Sequence, residues 1–239
     1  MRRWRLTAAL GMAALIGGCG TVQIEPRPVF PQPLVTQLPA KVGLVLPADQ
    51  RNYRHEETRG GVAWAVLLGA GQQAFARLVM GAVFREVKEF PDRAAAAGET
   101  GLQAVFEPHI EEYSFATAAE TGGEYVAVTI RYRIEVLAPD GSAYDTLSLT
   151  GYGTSLEGDM EFGPSESMDR ATRAAMRDAA AKFLAQFGRL PLAAKLAAGE
   201  RLVGEPVAQR TAAAALTIDA LPIRASRRAP PAAVATARP

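Results

Sequence analysis

The sequence predicts an α+β domain of two layers, a mixed sheet of about four strands with two long helices packed on one face. Three stretches carry that expectation. From Tyr125 to Leu137, the apolar Val126, Val128, Ile130, Tyr132, Ile134 and Val136 alternate with Tyr125, Ala127, Thr129, Arg131, Arg133 and Glu135. Strict period two describes a strand with one buried and one wet face, hence an antiparallel sheet covered on one side. Residues 72–90 and 165–187 instead repeat their apolar residues every three or four positions, which places them on one helical face.

The chain opens with Arg2, Arg3 and Arg5, an apolar run from Leu6 to Ile16, then Gly17, Gly18 and Cys19. A basic, then apolar, then small-residue order describes a secretory signal peptide over residues 1–18. The run is too short to span a bilayer, which needs about 20 apolar residues. Leu15-Ile16-Gly17-Gly18-Cys19 resembles a bacterial lipobox, with Gly17 where that pattern more often has Ala or Ser. The resemblance implies lipidation of Cys19 with a diacylglyceryl group and usually an N-acyl chain of the palmitate type. Two or more chains make such anchoring stable. Gly20, rather than Asp, after the cysteine implies the outer membrane, with the protein facing the periplasm.

Nearly half the residues, 49%, are hydrophobic, enough for one core, although many of them are alanines that bury little area. Cys19 is the only cysteine, so no intramolecular disulfide can form. A net charge of +1 excludes the concentrated basic face of an electrostatic nucleic-acid binder.

Residues 19–40 hold Pro26, Pro28, Pro31, Pro33 and Pro39, which predicts a proline-rich tether. The α/β domain is expected over residues 41–190. It begins with a buried strand, Lys41 to Leu46, and continues through a polar loop, Asp49 to Gly61. Residues 62–90 are apolar and periodic, and the helix is expected from Gln72 until Pro91 stops it. A connection over Asp92 to Leu102 leads to a strand from Ala104 to Ala116. There the apolar phase changes after Ile110, which predicts a bulge near Glu111 or Glu112, and Pro108 predicts an edge or irregular strand. Pro139-Asp140-Gly141 turns the 125–137 strand into its partner, Ala143 to Gly153. Ser165 or Ser167 caps the second helix, with Glu166 and Asp169 at the favourable end of its dipole. Gly188 and Pro191 end that helix. Residues 191–239 are rich in Ala, Pro and Arg and predict a mostly disordered tail after a short helix around Leu192 to Leu202.

Catalytic patterns are sparse. His55 and His109 sit in no metal-ligand spacing, and no Ser lies in a G-x-S-x-G elbow. His109 beside Glu111 and Glu112 reads as a solvated strand surface rather than an acid–base dyad. Gly69-Ala70-Gly71-Gln72-Gln73-Ala74 fits G-x-G-x-x-A, the turn that brings a dinucleotide pyrophosphate to a helix N-terminus. That turn is the basis of an alternative reading, a nucleotide- or small-ligand-binding enzyme. The favoured expectation is no enzyme, with no cofactor and no metal.

The 41–46 strand, the 72–90 helix, the 125–153 hairpin and the 165–187 helix together resemble the small α/β domain of envelope-assembly lipoproteins. That group includes the lipopolysaccharide-assembly lipoprotein, the curli secretion-channel lipoprotein and the amino-terminal domain of the Tol–Pal translocation protein. The resemblance is topological and transfers no functional residue. It implies a non-catalytic scaffold or accessory subunit that binds an envelope protein. Partner contacts are expected on the wet face of the hairpin, at Tyr125, Arg131 and Arg133, since aromatic and arginine side chains are enriched at binding hot spots.

Overall fold

The computed structural model describes residues 21–123, 125–156, 163–204 and 216–218. Cys19, and with it the lipidation reading, lies outside the described residues. The chain is α+β, with more strand than expected. In chain order the strands are β1 Val22–Ile24, β2 Leu38–Val45, β3 Arg54–Arg59, β4 Val62–Leu67, β5 Phe84–Phe90, β6 Ala104–Ala116, β7 Tyr125–Leu137, β8 Ala143–Leu156 and β9 Leu216–Ile218. The helices are α1 Ala48–Arg51, α2 Gly69–Val83, α3 Arg93–Ala97, α4 Pro164–Gln186 and α5 Pro191–Ala197.

The main sheet runs β5-β2-β6-β7-β8 with the short β9 beyond, where about four strands were expected. β2 is parallel to β5 and β6, β6–β7–β8 is antiparallel, and β9 is parallel to β8, so the sheet is mixed. A second sheet, β1-β4-β3, stands beside it. Both long helices pack on one face of the main sheet, as the sequence predicts. The six alternating apolar residues of β7 point at them and are buried with Phe75, Val79, Met176 and Phe183 in one core.

Four expectations are corrected. Residues 84–90 form β5 and not the end of a helix; Arg85, Glu86, Lys88 and Glu89 line this outermost strand, where charges discourage pairing with another chain. The expected polar loop and the apolar residues after it form a hairpin, β3 and β4, joined by Gly60 and Gly61 at positive φ. The expected tether packs on the domain: β1 pairs with β4, and Ile24 and Pro26 are buried. The short helix expected around Leu192 to Leu202 is α5, whose Leu192, Ala193 and Leu196 are buried, and the Leu202 N–H donates to the Gln103 carbonyl at 2.8 Å. The N-cap of α4 is Gly163, with no side-chain cap from Ser165 or Ser167.

The bulge lies where the sequence places it. Pairing steps from Ile110–Tyr132 to Glu112–Arg131 and leaves Glu111 without a partner residue. Pro108 sits in an interior strand, yet at a locally open edge, because β2 pairs with β6 only as far as Phe106. Two buried glutamines replace the missing strand. Gln72 Nε2 donates to the Pro108 carbonyl at 2.9 Å, and the Ile110 N–H donates to Gln50 Oε1 at 2.8 Å. A proline, having no N–H, suits that position. β8 is closed in the same way beyond β9: its Tyr152 N–H donates to Asp178 Oδ2 at 2.8 Å, and its Thr150 carbonyl accepts from Lys182 Nζ at 2.9 Å.

Tyr132 is fully buried and stacks on Phe75 with ring centres 4.3 Å apart, but its hydroxyl has no partner among the described residues. A buried unsatisfied hydroxyl costs about 1–3 kcal/mol. Tyr132→Phe is therefore expected to stabilise the protein by about 1 kcal/mol. A rise in the urea midpoint without a change in slope is the measurement; a fall would show that the hydroxyl is bonded.

Candidate functional site on the outer sheet face

The face of β6, β7 and β8 turned away from the long helices carries the expected site residues. α3 covers one end of it, where Ala96 packs with Val105 and Leu137. Next to that end is a dense ionic cluster. Arg93 of α3 holds Glu107 of β6 through Nε at 2.5 Å and Nη2 at 3.1 Å, and also reaches Glu135 of β7. Arg133 pairs with Glu135, and His109 Nε2 lies 2.9 Å from Glu107 Oε1. Burial pushes the Glu107 carboxyl up, but His109 and Arg93 beside it outweigh burial and hold it at about 2. The Arg93 guanidinium is correspondingly raised, mainly by its bond to Glu107.

Glu107, His109 and Glu135 bring three potential metal donors within 4.8 Å of one another. Arg93 already bridges both carboxylates, and Arg133 holds the second. A divalent cation would have to displace a guanidinium that matches these carboxylates in both charge and fork geometry. The arrangement reads as an ion-pair lattice that pins α3 to the sheet.

Farther along the face, Arg131 pairs with Glu111 at 3.0 Å and with Glu112. The bulge presents both carboxylates to one arginine, and His109 faces Glu107 instead of the Glu111 and Glu112 that the sequence set beside it. Tyr125 is 37% exposed, as a wet-face residue should be. Of the three expected partner residues, Tyr125 and Arg131 stand on open surface, whereas Arg133 is half-buried within the ionic cluster. Sequence reasoning missed Tyr152 and Leu156, which are 56% and 77% exposed. Their signal was the wet phase of β8, since Tyr152 pairs with Thr129 and Leu156 with Tyr125.

The Gly69–Ala74 turn does follow a strand and open a helix, but protein fills it. A Cβ on Gly69 would sit 2.0 Å from the Arg51 carbonyl oxygen, and one on Gly71 would sit 2.8 Å from Met176 Sδ. These glycines let α2 approach α1 and α4, and the space a pyrophosphate would need is taken. Gln72, read as part of the phosphate turn, is fully buried and serves the open edge of β6.

No family model matches the chain, and no curated protein matches it. Among solved structures, the crystal structure of lipoprotein GNA1162 from Neisseria meningitidis is similar over 51% of this chain and 86% of that one, with 11% identity and a TM-score of 0.27. A likeness this distant carries no weight for function.

Proposed function

We propose that the chain is a lipoprotein anchored through Cys19 to the outer membrane, facing the periplasm, and that it binds an envelope protein across the outer face of β6–β8 without chemistry of its own. One observation carries the reading. Among the described residues no helix or strand covers the far half of this face, where Tyr152 stands exposed diagonally across from Arg131 and Tyr125 and Leu156 stand exposed as a cross-strand pair at its far end. Exposed aromatic rings sharing one sheet face with an arginine suit a protein partner, because aromatic and arginine side chains are enriched at binding hot spots. The lipobox-like Leu15–Cys19 supports the anchor, and among the described residues no helix is long and apolar enough to cross a membrane.

The test places a photo-crosslinking residue at Thr150, on the same face, and irradiates living cells. A discrete protein adduct is expected, and combining the probe with Arg131→Glu should cut its yield at least tenfold. Stability should change by less than about 1 kcal/mol, because the Arg131 pairs are solvent-exposed. An adduct indifferent to Arg131→Glu, or no adduct at all, would sink the reading.

A further inference from the structure

An apolar cavity of about 340 Å³ lies between the small sheet, the start of α4 and the start of β7. Its wall includes Val22, Val62, Trp64, Ala118, Val126 and Met168. A volume of this size belongs to the range of small-ligand sites, and so does a lining this apolar. Trp64 is only 5% exposed, and its indole N–H has no acceptor among the described residues.

We propose that this cavity takes one fatty-acyl chain of the lipid on Cys19. The inference rests on the lipoprotein reading above and adds a seat for part of the anchor. Val22 lies in the wall and pairs in register with Trp64. Cys19 is three residues upstream, so its substituents start within about 10 Å of the cavity. Covalent attachment supplies the chain at high effective concentration. The cavity, like the bilayer, keeps the methylenes out of water, so seating one chain there forfeits little, and the two chains left in the bilayer still suffice for stable anchoring. The carbonyl at the head of an acyl chain provides the acceptor that Trp64 lacks.

The cavity rim favours the protein's own chain over a membrane phospholipid. Its cation, Arg59, is already held by Glu57 at 2.7 Å and Glu120 at 3.0 Å, which leaves it poorly placed to recognise a headgroup phosphate.

Cells fed a palmitate analogue bearing a photoreactive diazirine test the proposal on the full chain. After irradiation, peptide mass spectrometry first asks whether Cys19 carries the analogue; its absence would overturn the lipoprotein reading itself. With Cys19 labelled, cross-links from it to peptides containing Trp64, Ala119 or Met168 are expected. Ala119→Trp, which narrows the exposed rim, should lower their yield at least tenfold. A labelled Cys19 cross-linked only to membrane lipid would overturn the cavity proposal and leave the anchor standing. Trp64 gives an independent readout, because the other tryptophan, Trp4, leaves with the signal peptide. In vesicles of brominated phosphatidylcholine the acylated protein should keep its Trp64 fluorescence. Strong quenching would mean that a membrane lipid enters the cavity, and would overturn the assignment to Cys19.

Discussion

Replacing Gly153 with alanine is expected to cost about 3 kcal/mol, the upper end of what overpacking a rigid interior costs. A Cβ there would lie 2.0 Å from the Ala171 carbonyl oxygen and 2.4 Å from the Ala175 nitrogen. Gly151 meets the Ala175 carbonyl oxygen at 2.1 Å in the same way. The obstacle is the backbone of α4, so no rotamer change relieves it and the helix must lift from β8. For a protein of this size the loss corresponds to a fall in Tm of roughly 6–12 °C. Gly81→Ala is the control: it lies within α2 with open space around it, and alanine there should gain up to about 1 kcal/mol in helix propensity. Equal melting temperatures for Gly153→Ala and the parent would disprove the close approach of helix and strand.

Gly151 and Gly153 also show how far the sequence could be read. Their spacing by two inside an alternating strand places both on the inner face, opposite the helical row Ala171, Ala175 and Ala179. Read without a partner for that row, they looked like the end of a strand. β7 was legible in full because one covered face imposes period two on thirteen consecutive residues. β5 was not. Phe84, Val87 and Phe90 recur every three residues, which mimics a helix, and the charges between them belong to an exposed edge strand rather than a helix surface. β3 contains no aliphatic residue and no Phe, Tyr or Trp, so nothing but the Gly60-Gly61 turn and the apolar β4 after it signalled a hairpin. In the candidate site, Tyr125 and Arg131 were legible from strand phase alone. The ties of Arg93 to Glu107 and Glu135 were not, since they span fourteen and forty-two positions and depend on where the short α3 docks.

Glu107→Gln is expected to remove the acid-sensitive part of stability that this cluster contributes. In the folded protein the Glu107 carboxyl is held at about 2, against an ordinary value of 4.5. Its folded-state pKa is depressed, so the unfolded chain binds the extra proton first as the solution is acidified. The contribution is therefore complete above about pH 4.5 and lost progressively down to about pH 2. Taken at face value the shift corresponds to roughly 3 kcal/mol. Arg93 is 45% exposed, and solvent screening of that partner brings the expected loss to about 2 kcal/mol at neutral pH. Glu107 itself is buried, and removing its charge leaves Arg93 with Glu135 alone, which is why the cost exceeds that of an ordinary surface bridge. Glu99, Glu120 and Asp140 are also held below their ordinary values by their own partners, so the parent alone shows a composite acid limb. The diagnostic quantity is the stability difference between parent and Glu107→Gln, measured by urea unfolding across pH 2–7. It should stay level above pH 5 and shrink toward zero near pH 2. A difference that persists undiminished at pH 2 would mean that the carboxyl contributes by packing and not through its charge.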